Sequence, residues 1–337
     1  MWFGEINTNM KILFICDPGL DYGEYMLFNG LCNVLGEQNV VTYPFKGSYY
    51  GQIDHDYQLE NLYTTGSKGY TAPEENMVIR FVNYWNKEKI LENFDVFDLI
   101  ILASCRIVAV NALRELKKER DFSQPLIIHE SEDYEDIRVD LVNEFKPTLY
   151  FKRTLRKDGK NNFLDKCSVP VIPCPLSAIL NSAPFENDKR KMYSVWYING
   201  DTHPIRSRVY DNLLYLNYPN MICKIISHER MHTWYDKISY KNYMITIARS
   251  KIAVAPRGWS FDAQKRVEIP IYNTLLFTNE ISYVTPNDFT DGKNYAVFNT
   301  DLSDFKEKTG LDRTVRIDAL EYVQIDPTQN FFTHFNL

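Results

Sequence analysis

The chain has 337 residues, and length alone suggests about two domains rather than one core. Its 45% hydrophobic and 24% charged residues place it among ordinary globular proteins and exclude a disordered chain. A net charge of −6 and a pI of 5.6 exclude a global positive field that would draw it onto nucleic acid.

No apolar run of about eighteen residues is present, so no segment is expected to span a bilayer. The leading MWFGEINTN has neither a basic start nor an apolar centre, and its pattern is not that of a signal peptide. Cys16, Cys32, Cys105, Cys167, Cys174 and Cys223 include no C-x-x-C pair, and several lie in apolar runs. Free thiols of this kind fit a reducing compartment, so a cytoplasmic location is expected.

The first regular element is a buried-type strand, Lys11 to Cys16. A turn follows, in which Asp17, Gly19 and Tyr22 form a candidate acceptor-facing loop. It lacks the G-x-G-x-x-G order of a dinucleotide site. Helical spacing runs from Tyr25 to Leu35, and Asn39 to Tyr43 reads as a second strand. Residues 46–75, rich in Gly, Tyr and polar groups, read as a long loop near a cleft. Asn76 to Leu91 is predicted helical, Asp98 to Ala103 a strand, Val108 to Arg120 a helix and Leu126 to His129 a strand. This alternation implies a parallel, doubly wound sheet.

The stretch PLIIHESEDYEDIR, from Pro125 to Arg138, puts acids where a strand ends. Strand exits are where a catalytic base is held, and deprotonating an acceptor hydroxyl calls for a carboxylate or histidine. Glu130 and Asp133 lead as candidates, with His129 behind them. The alternative is that Glu132, Asp133, Glu135 and Asp136 cap the next helix. Lys146 to Lys166 is locally basic, through Lys152, Arg153, Arg156, Lys157 and Lys160. It reads as a solvated loop, with an anionic acceptor surface as the alternative.

The proline-bearing, aperiodic stretch Val171 to Lys191 is the linker candidate. This divides the chain into a first domain at 10–172, a linker at 173–191 and a second domain at 192–325. Ser194 to Ile198 reads as a strand and Arg206 to Leu216 as a helix. Between them, Gly200, Thr202 and the helix start suit a diphosphate, with Arg206 adding charge. A plain N-cap by Asp201 or Thr202 is the competing reading. Met221 to Ser227 is the next strand, and Tyr240 to Arg249 the next helix.

His228-Glu229-Arg230-Met231-His232 satisfies H-E-x-x-H, which on a helix places two histidines on one face for zinc. Here it directly follows a strand and no G-x-x-H supplies a third ligand, so a zinc hydrolase stands as an alternative rather than the leading reading. Two apolar runs, Ile252 to Ala255 and Thr274 to Thr278, then flank Arg257, Lys265, Arg266 and Glu268. Cations at a strand exit suit phosphate, and a carboxylate one turn on suits ribose hydroxyls. Asp291-Gly292-Lys293-Asn294 follows the second run.

This constellation resembles the donor-nucleotide half of GT-B glycosyltransferases, in particular the CgeB-like, glycosyltransferase-family-1-type group. Glu132-Asp133 with Arg138, then Lys146-Pro147-Thr148-Leu149-Tyr150-Phe151-Lys152-Arg153, match that group's E-D-x-x-x-x-R and K-P-x-x-Y-F-K-R segments. Asp291-Gly292-Lys293-Asn294 matches its F-x-DG-x-N segment. The likeness covers most of the chain, least so at 46–75 and after Thr309. Two positions depart: Ser260 and Asn273 stand where many GT-B enzymes carry a first glutamate and a small residue. The resemblance implies an α/β fold of two Rossmann-like doubly wound domains facing a cleft. It implies transfer of a sugar from a nucleotide-sugar donor to an acceptor, with no metal or other cofactor. The expected acceptor is a glycan, small molecule or protein, with a modified DNA base as a lesser alternative. A GT-B-like module that binds sugar nucleotide without catalysis is the remaining reading.

Overall fold

The computed structural model describes residues 9–19, 21–46, 49, 84–175, 191–226, 240–258, 265–272, 274–284, 291–292 and 295–309. In the first half the elements are β1 (Ile12–Ile15), α1 (Tyr22–Leu35), β2 (Val40–Tyr43), α2 (Lys87–Glu92) and β3 (Leu99–Leu102). They continue with α3 (Ile107–Glu119), β4 (Leu126–Glu130), α4 (Val139–Phe145), β5 (Leu149–Lys152) and β6 (Val171–Pro173). The second half contains β7 (Tyr193–Gly200), α5 (Pro204–Leu216), β8 (Ile222–Ile226), α6 (Tyr240–Ala248) and β9 (Ser250–Val254). It ends with α7 (Lys265–Ile271), β10 (Leu275–Asn279), β11 (Ala296–Phe298) and α8 (Phe305–Lys308).

The first six strands form one parallel sheet in the order β2-β1-β3-β4-β5-β6. β1 (ILFI) and β3 (LIIL) are buried along their whole length, as parallel strands are when helices cover both faces. On one face Leu13, Ile100, Leu102, Leu126 and Ile128 pack against Ala109, Leu113 and Leu116 of α3 and Leu141 and Phe145 of α4. On the other, Ile12, Phe14, Ile101 and Ile127 pack against Leu27, Phe28 and Leu31 of α1. The Asp21 carboxylate caps α1 by accepting from the Glu24 amide at 3.0 Å. Gly36 closes the helix at φ +86°, ψ 146°, a conformation open essentially to glycine alone.

The second sheet runs β11-β10-β9-β7-β8, again all parallel. One face packs Trp196, Ala253 and Leu276 against Tyr243, Met244 and Ile247 of α6 and Ile269 of α7. The opposite face packs Val195, Tyr197, Val254 and Phe277 against Ile205, Val209 and Leu213 of α5 and Phe305 of α8. α5 starts on Pro204, which suits a first helical position whose amide has no helical partner.

Numbered within its own domain, each sheet has the order 2-1-3-4-5, with one further strand at the edge of the first. Connections then leave the central strands in opposite directions, which opens a crevice at their carboxyl ends. In the first sheet the crevice lies beyond β1 and β3, and in the second beyond β7 and β9. The halves also touch through backbone: Arg156 bridges antiparallel to Tyr283, with Lys157 N–H donating to the Ser282 carbonyl (2.8 Å) and Val284 N–H to that of Leu155 (2.7 Å).

The expected strands and helices are present where they are described, with ends shifted by a few residues. Five short elements, α4, β5, β6, β11 and α8, have no counterpart in the sequence reading. β6 occupies the start of the stretch read as a linker and pairs with β5, while 176–190 lie outside the described residues. So do almost all of the 46–75 loop and the part of the 76–91 helix before residue 84. All six cysteines are free thiols, and no helix among the described residues is long and apolar enough to cross a membrane.

Because Gly36 occupies a glycine-only region of backbone space, Gly36→Ala is expected to cost about 1–3 kcal/mol. Urea unfolding measures this, and an unchanged midpoint would contradict the role given to that turn.

Candidate active site

The first crevice is built by the exits of β1, β3 and β4. Asp17, directly after β1, accepts the Gly19 amide on Oδ1 (2.8 Å) and donates its own amide to Glu24 Oε2 (2.8 Å). A Cβ on Gly19 would lie 2.8 Å from Asp17 Oδ1 and 3.3 Å from an Arg106 nitrogen, so the chain passes close under both. Tyr22 opens α1, and its side chain lies outside the described atoms. Glu24 is fully buried and also takes Lys46 Nζ (2.5 Å) and Tyr49 O–H (2.6 Å) on Oε1. Burial pushes its carboxyl up, while Lys46 opposes the shift. Burial also pushes Asp21 up, but Arg106 and the Ser131 hydroxyl (2.6 Å) outweigh it and hold that carboxyl below its ordinary value.

The three catalytic candidates stand in different surroundings. His129, on the α1 face of β4, is 2% exposed, and its Nδ1 meets the Ala103 carbonyl at 3.1 Å. A carbonyl only accepts, so Nδ1 carries the proton and Nε2 presents a lone pair. Burial lowers its pKa, which keeps the ring neutral. Glu130 faces the other layer, 1% exposed, held by Lys152 Nζ (2.9 Å) and by the Tyr150 hydroxyl. Burial raises its carboxyl, with Lys152 pulling the other way. Asp133 is half exposed and pairs with Arg153 (2.8 Å).

The helix-capping alternative for the acids is not what forms. The N-cap of α4 is Arg138, with no side-chain bond. Glu132 instead faces Arg106 (3.7 Å), Glu135 faces Arg156 (3.2 Å), and Asp136 accepts from Asn162 (2.6 Å). The same pairs absorb the basic run. Lys152 is fully buried, Arg153 also donates to the Ser131 carbonyl (2.7 Å), and Arg156 holds Asp158 (2.6 Å). Local carboxylates thus meet these three cations.

The second crevice is framed by the exits of β7 and β9. Arg206, 9% exposed, donates to the carbonyls of Gly200 (3.0 Å) and Arg257 (3.1 Å) and to Thr202 Oγ1 (2.8 Å), tying both exits together. A Cβ at Gly258 would lie 2.6 Å from its guanidinium, which is why glycine fits there. Neither Asp201 nor Thr202 caps α5. His203 does, accepting the Ile205 amide on Nδ1 (3.2 Å), while Asp201 holds Ser207 (2.6 Å).

Lys265 turns its ammonium onto the Ile198 carbonyl and Asn199 Oδ1 (2.9 Å), 5.4 Å from the Trp196 ring centre. Burial, then the positive field of Arg206, lowers its pKa well below the ordinary lysine value, with Glu268 partly offsetting. Arg266 is fully buried, with its guanidinium 5.9 Å from the Tyr283 ring centre. Glu268 is 2% exposed and accepts the Tyr243 hydroxyl at 2.8 Å, so it lies in the floor rather than standing free in the cleft. Asn279, at the end of β10, accepts the Arg257 amide (2.7 Å) and Arg266 (3.4 Å).

Arg206, Arg257, Lys265 and Arg266 therefore gather at this crevice, and the Glu268 carboxylate lies close enough to act on Lys265. Burial lowers the Arg257 pKa, as expected for a guanidinium in a low-dielectric wall. Asn279, His203 and Arg106 are positional residues that the sequence reading missed. Their signal was available: each lies at or just past the carboxyl end of a strand. Among the described residues no group of three or more His, Cys, Asp or Glu is placed to hold a metal ion. The His228-Glu229-Arg230-Met231-His232 motif lies outside the described residues, as do Lys293 and Asn294.

The Lys152–Glu130 pair yields a stability prediction. Lys152→Met leaves a buried carboxylate without its cation and is expected to cost about 3–5 kcal/mol at neutral pH. A lone Glu130 has its folded pKa raised further, so this deficit grows as pH rises and shrinks as pH falls toward the ordinary carboxylate range. Denaturant unfolding of the variant at two pH values measures both the size and the sign.

No family model matches the chain, and no curated protein sequence matches it. Solved structures do. Anabaena HepE in complex with UDP-glucose aligns over 97% of each chain with a TM-score of 0.56 at 12% identity. The lipopolysaccharide outer core galactosyltransferase WaaB aligns over 97% of this chain and 98% of its own, with a TM-score of 0.47 at 12% identity. A GtfA/B complex aligns over 71% of this chain and 54% of its own, with a TM-score of 0.42 at 13% identity, so this chain spans about half that length. At 12% identity the HepE likeness is one of fold. Two parallel α/β sheets of matching strand order, paired across a cleft, make this chain a GT-B fold protein.

Proposed function

We propose that this chain is a glycosyltransferase that moves a sugar from a nucleoside-diphosphate sugar to an acceptor hydroxyl. The observation that carries the reading is the gathering of Arg206, Arg257, Lys265 and Arg266 at the β7/β9 crevice, with Glu268 acting on Lys265. A dense positive site at the carboxyl ends of parallel strands suits a diphosphate. HepE, whose fold aligns along the whole chain, is described with UDP-glucose bound, which supports a nucleotide sugar as the donor.

In this reading the acceptor oxygen attacks the anomeric carbon as the bond to the β-phosphate oxygen breaks. The nucleoside diphosphate departs with the electron pair, and the cations stabilise the charge it gains without a metal. Gly200 and Thr202 line the phosphate side, and Glu268 holds the ribose from the crevice floor. The acceptor proton goes to a base in the first domain. The geometry favours His129, because it is neutral with a lone pair on Nε2, whereas Glu130 is locked by Lys152 and Asp133 by Arg153.

Titration with uridine, guanosine, thymidine and cytidine diphosphates, their nucleosides and their sugars tests the donor site. Arg257→Ala is expected to weaken the preferred diphosphate by about 1.5–3 kcal/mol, the range for a bond to a charged group, and the bare nucleoside far less. Equal losses for both would remove Arg257 from the phosphates. Glu268→Gln keeps an acceptor for Tyr243, so the fold should hold while nucleoside affinity drops; unchanged affinity removes the ribose role. Binding with neither hydrolysis nor transfer would mark a non-catalytic module.

The base assignment predicts a pH profile. A proton acceptor works only when unprotonated, and burial holds His129 below the ordinary histidine value. Activity is therefore expected to be level near pH 7–8 and to fall only below about 6.5. His129→Asn should cost about 10²–10⁴ in kcat, with donor affinity retained. An acid limb that persists in the variant would sink the assignment.

A further inference from the structure

The proposed reaction changes the charge of what sits in the second crevice. When the anomeric bond breaks, the nucleoside diphosphate keeps the electron pair, the sugar passes to the acceptor oxygen, and that oxygen's proton goes to the base. The diphosphate then carries one more negative charge than its sugar ester, once the terminal phosphate is fully ionised. On charge alone the cations of the crevice hold this product more tightly than the donor. Release therefore calls for an opposing charge.

One carboxylate of the first domain is fixed where it can supply that charge. The loop after β4 is pinned by the stretch that follows β5. The Ser131 carbonyl accepts from Arg153 (2.7 Å), that of Tyr134 from Lys152 (2.6 Å) and Thr154 (2.7 Å), and that of Glu135 from Asn161 (2.7 Å). The pinning stretch is itself paired to the second domain, Lys157 N–H to the Ser282 carbonyl and Val284 N–H to that of Leu155, with Arg156 opposite Tyr283. The Tyr283 ring lies 5.9 Å from the Arg266 guanidinium, and Asn279 Oδ1 accepts from both Arg266 and the Arg257 amide. Fixed contacts thus run from Glu135 in one domain to Arg257 in the other.

The charge of Glu135 is not absorbed on the way. Its carboxylate meets Arg156 Nη1 at 3.2 Å, but the same guanidinium gives Nε (2.8 Å) and Nη2 (2.6 Å) to Asp158, so one cation serves two carboxylates. Lys160 adds its field at Asp158. Of the charges acting on Arg257, the negative one of Glu135 is the strongest, ahead of the positive ones of Arg266 and Arg156. Arg206 and Lys265 are the other cations at the opening.

We propose that Glu135 sets the selectivity of the donor site from the first domain, weakening the nucleoside diphosphate more than the nucleotide sugar and so favouring departure of the product. The proposal rests on the transfer reading. The same field opposes the charge that builds as the anomeric bond breaks. The four cations of the second domain serve that step, and Glu135 serves the one after it.

The test uses the full chain and titration calorimetry at low salt and about pH 8, where the terminal phosphate is fully ionised. The probes are uridine, guanosine, thymidine and cytidine diphosphates and the glucose ester of each. Glu135→Gln is expected to raise the ratio of diphosphate to ester affinity roughly threefold, and Glu135→Asp to keep most of the wild-type ratio. Arg156→Gln removes the neighbouring cation and should move the ratio the opposite way, whereas damage to the seam would weaken both ligands together. Both shifts should shrink in about 1 M salt. An unchanged or lowered ratio in Glu135→Gln, or a ratio that moves the same way in Arg156→Gln, overturns the proposal and leaves the donor site standing. A chain that binds none of these ligands overturns the donor reading, and the proposal with it.

Discussion

A parallel sheet whose central strands send their connections to opposite faces must leave a crevice at its carboxyl edge. This chain builds that constraint twice, with the same strand order, and places opposite charge in the two openings. The first collects Asp17, Asp21 and Glu132; the second collects Arg206, Arg257, Lys265 and Arg266. Strand exits suit both jobs because the backbone there leaves its ladder, so side chains and amides turn outward. Arg206 shows how closely charge and architecture are joined. Its guanidinium binds the carbonyl ends of both framing strands, so the group that makes the opening positive also holds its shape.

The proposed group transfer would use this division. A hydroxyl nucleophile gains from a base and from hydrogen-bond acceptors, whereas a diphosphate leaving group gains from cations. Placed together, the two sets would neutralise each other. Separate domains keep them apart, and the antiparallel contact between 155–157 and 282–284 holds them at a fixed seam. Arg156 belongs to that seam and pairs with Glu135, whose field also reaches Arg257. The acidic loop of one domain and the basic exit of the other are therefore in electrostatic contact.

Much of this was legible in the sequence because the strands of parallel sheets are short, apolar and followed at once by functional residues. β1, β3, β4, β9 and β10 announce themselves as apolar runs, and their exits carry Asp17, His129, Arg257 and Asn279. The short elements were not legible: α4 has too few turns to show a period, and β6 has three residues in a stretch that reads as linker. Side-chain direction was hidden too. His129 and Glu130 are neighbours in sequence, yet strand alternation sends one toward α1 and the other toward α3 and α4. The basic run from Lys152 looked like a surface, but Lys152, Arg153 and Arg156 each answer a carboxylate some 20 residues earlier, a pairing that the adjacency of β4 and β5 creates.

The most direct measurement is a crystal structure of the protein with its preferred nucleoside-diphosphate sugar. The account predicts the two phosphates beyond β7 and β9, within hydrogen-bond reach of Arg257, with the sugar turned toward the opening that holds His129. A diphosphate bound anywhere else, or seated there with its sugar directed away from the first domain, would contradict it.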